Sequence, residues 1–141
     1  MISVEAIYLV SCVKTKSPHP APAKELYTSD WFCKARAYVE ASGQPWYILS
    51  AKYGMLAPET VVEPYERTLK RMKAAERRDW AERVEAQIRA LPATKRFVIL
   101  AGDAYRSLLM PALARLAPVE IPMEGLSFGR QLQWLEGHRP T

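Results

Sequence analysis

Three apolar runs in this chain end alike, and that shared ending constrains the fold more than any other feature. Ala6 to Val10 stops at Ser11 and Cys12, with Lys14 and Lys16 just beyond; Tyr47 to Leu49 runs into Ser50, Ala51, Lys52 and Tyr53; Phe97 to Ala101 gives way to Gly102, Asp103, Tyr105 and Arg106. Short runs of β-branched and aromatic residues bounded by small ones read as strands buried on both faces. Three such strands that each deliver polar groups at the same end predict one shared sheet edge, and therefore one site.

The full set of expected strands is Ala6–Val10, Trp46–Ser50, Arg96–Ala101 and Val119–Ile121. Helical patterns separate them. Ser29 or Thr28 can cap a helix from Asp30 whose Phe32, Ala35 and Val39 share a stripe and which Gly43 can end. Trp80, Val84, Ile88 and Leu91 recur at helical spacing in the next, with Glu76, Arg77, Glu82, Arg83 and Arg89 off that stripe. Asp103 is placed to cap a third helix, in which Pro111 forces a kink or restart. A last short helix carries Phe128, Leu132 and Leu135. Strands alternating with helices predict an α/β domain, a small, mainly parallel four-stranded sheet flanked by helices. In such sheets ligands bind beyond the carboxyl ends of the strands.

Size and charge narrow the reading. The 141 residues, 49% of them hydrophobic, predict one domain spanning 1–141 with one core. The net charge of +5 favours an anionic partner, nucleic acid or nucleotide. As a separate expectation, DNA is preferred over RNA. Two cysteines and two histidines without paired spacing predict no metal site, and no cofactor is expected. Leu9-Val-Ser-Cys12 looks like a lipoprotein cleavage site, but the segment before it has no basic residue and contains Glu5, so it is read as a decoy. With no apolar stretch of the roughly 20 residues that span a bilayer, a cytoplasmic protein with no membrane partner is expected.

Two connections, Cys12 to Thr28 and Ala51 to Arg71, are longer than a compact domain usually needs. Both carry prolines and tyrosines, so they are expected to be ordered pocket walls. Lys14, Lys16 and Lys52 leave the ends of strands that are plausible neighbours and could converge on a phosphate. Lys14 and Lys52, with the carboxylates Asp103 and Glu63, are the catalytic candidates, and Glu66 is a further nearby carboxylate. Cys12 is a weaker candidate nucleophile, since lysines lower a thiol's pKa but no histidine stands where it obviously serves as base. Ser11 and Ser50 read as hydrogen-bond donors that orient a ligand. Tyr27, Tyr53, Tyr65 and Tyr105 suit base stacking, against the plainer alternative that they close the core under long loops. Gly102 opens a helix whose free amides can receive an anion. Arg36 and Arg106 are expected on flanking phosphates, and Ser29, Gly54 and Gln131 complete the binding set.

Taken together, S-C-x-K-x-K at Ser11–Lys16, P-A-x-x-L-Y-x-S at Pro22–Ser29, W-x-I-L-S-A-K-Y-G-x-L at Trp46–Leu56, P-Y-x-x-T-L at Pro64–Leu69 and G-L-x-x-G-x-Q at Gly125–Gln131 resemble a bacterial and phage family catalogued as a domain of unknown function. The cysteine-lysine first loop and the tyrosine-x-serine before the first helix more distantly resemble the core of archaeosine synthase and, in outline, the uracil-DNA glycosylase-like superfamily. That resemblance implies a three-layer sandwich and a flipped nucleobase held at the strand ends. The superfamily's water-activating G-Q-D-P-Y is absent after the first strand, so its catalytic aspartate does not carry over. The expected function is cleavage of the N-glycosidic bond of a modified or damaged base in DNA. Its rivals are an enzyme using a free nucleotide or phosphorylated sugar, and a non-catalytic nucleic-acid-binding module.

Overall fold

A computed structural model describes residues 3–11, 17–65 and 69–138. In chain order the elements are β1 (Ser3–Val4), β2 (Ile7–Ser11), β3 (Ala21–Pro22), α1 (Ala23–Leu26), α2 (Asp30–Ala41), β4 (Trp46–Ser50), β5 (Gly54–Leu56), β6 (Val61–Val62), a 3-10 turn at Leu69–Arg71, α3 (Ala74–Arg89), β7 (Ala93–Thr94), β8 (Phe97–Leu100), α4 (Asp103–Leu116), β9 (Val119–Glu120) and α5 (Phe128–Gly137). The class is α/β, built on a mixed five-stranded sheet in the order β5-β4-β2-β8-β9. The two-stranded pairs β1-β7, parallel, and β3-β6, antiparallel, lie outside it.

All four expected strands form, and β4, β2, β8 and β9 pair in parallel. The four-strand count needs correction. A fifth strand, β5, folds back antiparallel on β4, with Ser50 opposite Gly54 and Ile48 opposite Leu56. Gly54 makes this reversal possible. Its φ of +77° lies in the left-handed region, and a Cβ there would sit 2.6 Å from Gln87 Oε1. The Gln87 side chain in turn accepts from Met55 N (2.8 Å) and donates to Met55 O (3.1 Å), occupying backbone groups on the sheet's outer edge.

The sheet is sandwiched because β2 is buried at every residue and alternates between two cores. Tyr8 and Val10, with Ile48, Val98 and Leu100, pack against Phe32, Ala35 and Val39 of α2 and Leu135 of α5. Ile7 and Leu9, with Leu49, Phe97 and Ile99, pack on the other face against Trp80, Val84 and Ile88 of α3 and Leu109 and Leu113 of α4. Burying such side chains contributes about 1.5–3 kcal/mol each.

Most helix limits follow their local chemistry. Ser29 caps α2 by accepting from Phe32 N (3.1 Å), and Gly43 follows its end at φ +71°. The cap expected of Asp103 is corrected: Gly102 is the N-cap of α4 and offers no side-chain acceptor, while the Asp103 carboxylate turns to Arg106 three residues on. Pro111 does not end α4, which runs on to Leu116. Glu85 of α3 accepts from Arg89 (2.8 Å) and from Arg115 of α4 (3.3 Å), tying the two helices of one face together.

The long connections are zipped to each other. β3 pairs with β6, Ala23 N donates to Thr60 O (2.8 Å), Lys24 N to Pro58 O (3.0 Å), and Lys24 Nζ meets Glu59 (2.6 Å). This accounts for why stretches of that length are ordered where they are described: their backbone groups bond across the gap, as buried loops require.

Candidate functional site

The carboxyl ends of β4, β2 and β8 lie side by side, since β2 pairs with both neighbours in parallel. Two clefts open along this edge, one on either side of β2. The first, about 600 Å³, lies at the end of β4 against α3; Lys52, Tyr65, Glu76, Asp79, Trp80 and Arg83 are among its walls. The second, about 630 Å³, lies at the end of β8 and is walled by Gly102, Asp103 and Arg106 of the β8–α4 junction and by the Met123–Ser127 turn with Gln131. Both fall in the small-molecule range.

A buried hydroxyl chain underlies the first cleft. Tyr65 OH bonds to Tyr27 OH and to Ser50 Oγ, both at 2.6 Å, and Ser50 Oγ accepts from Tyr53 N (3.2 Å). Trp80 Nε1 donates to Ser50 O (2.8 Å), so the last residue of β4 anchors the wall helix as well. Ser50 is fully buried and hydrogen-bonded, which explains how a polar residue ends a core strand at little cost. Lys52 is exposed, with Nζ 5.2 Å from the centre of the Tyr53 ring, and its carbonyl accepts from Arg83 Nη2 (3.2 Å). Among the described residues two cations, Lys52 and Arg83, and two carboxylates, Glu76 and Asp79, thus line the cleft. Glu76 also accepts from Lys73 N (3.2 Å) at the start of α3.

The second cleft is built differently. Arg106 reaches Asp103 through Nη2, whereas its Nε is buried and finds no partner among the described residues. Gln131 braces the turn: Oε1 accepts from Trp31 Nε1 (3.0 Å) and Nε2 donates to Leu126 O (2.9 Å). Ile99, Leu100, Ile121, Met123 and Leu126 supply apolar lining.

Of the residues singled out from sequence, Lys52 and Tyr65 meet at the first cleft and Gly102, Asp103, Arg106 and Gln131 at the second. Ser11 and Ser50 are buried at the ends of β2 and β4. Tyr27 is buried, and its ring packs on Phe32 (centroids 5.2 Å apart) instead of facing a cleft. Tyr53 stacks edge-on against Tyr65, and Tyr105 against Trp80, each at 5.5 Å. Gly54 serves the β5 reversal and Ser29 the α2 cap. Arg36 bonds to Glu40 and Lys24 O on the α1–α2 side, and Glu63 is exposed after β6; neither lines these clefts. Cys12, Lys14, Lys16 and Glu66 lie outside the described residues.

Asp79, Glu76 and Arg83 were not among the sequence candidates. Their signal was a polar row at helical spacing beside Trp80, which an ordinary solvated helix face also shows. Among the described residues no group of three or more His, Cys, Asp or Glu side chains is placed to hold a metal ion, and no helix is long and apolar enough to cross a membrane.

Sequence comparison agrees with the uncharacterised-family resemblance. The model of a family of unknown function, DUF6884, matches residues 7–137, from the first residue of β2 to the last of α5. The chain belongs to this family. No curated protein matches it.

Proposed function

We propose that this protein is an enzyme acting on a nucleobase, cleaving the N-glycosidic bond of a modified or damaged base, with the reaction in the first cleft and an arrangement akin to the uracil-DNA glycosylase-like superfamily. The observation that supports it best is the grouping of Lys52, Arg83, Asp79 and Glu76 around one nucleotide-sized volume bordered by Trp80 and Tyr65. Breaking such a bond builds positive charge on the sugar and negative charge on the departing base. Asp79 faces the sugar and takes a proton from the attacking water. The water oxygen bonds to the anomeric carbon, the bond to the base nitrogen breaks with its electron pair leaving on the base, and Lys52 supplies the proton the base takes up. Glu76, held by Lys73 N, fixes the start of the wall helix, and Arg83 braces the Lys52 backbone.

DNA carrying varied base modifications, incubated with the protein and then treated with alkali, will break at the abasic sites produced. Asp79→Asn will slow this by about 10²–10⁴-fold, the usual weight of a general base. Intact strands from every substrate would remove the reading. A second reading, an enzyme using a free nucleotide or phosphorylated sugar, is favoured by a cleft volume suited to a mononucleotide. Salt separates the two: affinity for a strand falls steeply as salt rises, and affinity for a mononucleotide much less.

A further inference from the structure

We infer that the second cleft is a separate phosphate site anchored by Arg106, and that Asp103 occupies this arginine until the phosphate displaces it. Three observations converge. First, Arg106 Nε is buried and donates to no group among the described residues, although an unmatched buried donor carries a real desolvation cost. A planar guanidinium is matched best by two oxygens at once, which phosphate supplies and the lone contact from Asp103 to Nη2 does not.

Second, the existing pair is easy to break. The Asp103 side chain is 92% exposed while that of Arg106 is 19% exposed, so the carboxylate can swing into water and the guanidinium is held. Exposed pairs of this kind contribute little. Third, the cleft adjoins the point where chain connections diverge. β2 leads through α2 on one face to β4, β8 leads through α4 on the other face to β9, and β2 and β8 are neighbours. Ligands of parallel α/β sheets bind at such a divergence.

Charge explains the role of Asp103. Among the described residues Arg106 is opposed in this cleft by Asp103 and Glu124, so the departure of Asp103 leaves the guanidinium less opposed and more receptive to an anion. Phosphate could come from a free nucleotide or from a nucleic-acid backbone, and the chemistry at Arg106 is shared.

The test is an amide NMR titration with three probes: inorganic phosphate, thymidine 5′-monophosphate, and a short thymidine oligonucleotide without terminal phosphate. Shifts at residues 102–106 with the monophosphate alone assign a free nucleotide; shifts with the oligonucleotide assign a backbone. Arg106→Gln is expected to weaken binding tenfold or more, and Asp103→Asn to tighten it several-fold. Asp103 is exposed, so its variant keeps the fold and the prediction survives any instability of Arg106→Gln. No shift at residues 102–106 with any probe, or weaker binding by Asp103→Asn, would overturn the inference. Base cleavage is not read in this experiment, so failure of the glycosidic reaction bears on the first cleft alone.

Discussion

The two clefts share one sheet edge yet are held by opposite means. The first rests on a rigid buried frame: Tyr27, Tyr65 and Ser50 are linked by hydroxyl bonds, Trp80 is tied to Ser50 O, and Gly54 is pressed against Gln87. The second has an arginine with a donor unmatched among the described residues, an exposed carboxylate partner, and a glycine, Gly102, with no described residue crowding it. The contrast teaches that sharing an edge does not mean sharing tolerance to change. Substitutions in the buried frame under the first cleft should cost folding energy, and those at Arg106 and Asp103 in the second should alter binding.

Gly54 and Gly102 give the sharpest contrast. Gly54→Val must adopt a strained positive φ and displace Gln87 from Met55, so it should lose about 2–4 kcal/mol of unfolding free energy in urea titrations. Tyr65→Phe comes next. It removes the phenol that joins Tyr27 to Ser50, for a loss of about 1–3 kcal/mol by the same measurement; an unchanged midpoint would mean that the hydroxyl chain is not what holds the frame.

A smaller effect concerns the bond between the helices beneath the two clefts. Hydrogen bonds from Arg89 and then Arg115 hold the Glu85 carboxyl below its usual range. A depressed folded-state value means that this contribution is present above the unfolded pKa and is lost as pH falls through the folded one. Melting temperatures of wild type and Glu85→Gln should therefore differ slightly near neutral pH and converge in acid. Least of all, Gly102→Ala should change stability by no more than about 0.5 kcal/mol, its poorer capping offset by a stiffer unfolded chain.

Much of the scaffold was legible because it is encoded locally. The β2, β4 and β8 runs are continuous and apolar, Ser29 sits where a cap must, and Trp80, Val84 and Ile88 mark one helix face. What stayed hidden depends on distant partners. β5 is three residues long, too short for a periodic signal, and exists because β4 offers an edge and Gln87 covers the other. The Tyr27–Tyr65 bond spans 38 positions, so tyrosines that looked suited to stacking turn out to be part of the buried frame. Asp79 and Arg83 could not be told from a solvated helix face until α3 lay against the end of β4. Asp103 reads as a cap because a helical pattern follows it, but it is the first residue of α4 itself, with Arg106 within its reach on the first turn.

If the reading of the clefts holds, ligands bind at the carboxyl edge of β4, β2 and β8 and nowhere else on the sheet. Amide shifts mapped across the whole chain during titration with thymidine 5′-monophosphate locate the bound ligand. Shifts confined to the strand ends and cleft walls, at Lys52 and Asp79 or at residues 102–106, are expected. Shifts centred instead on the β1-β7 pair or on the Arg36 side of α2 would contradict it.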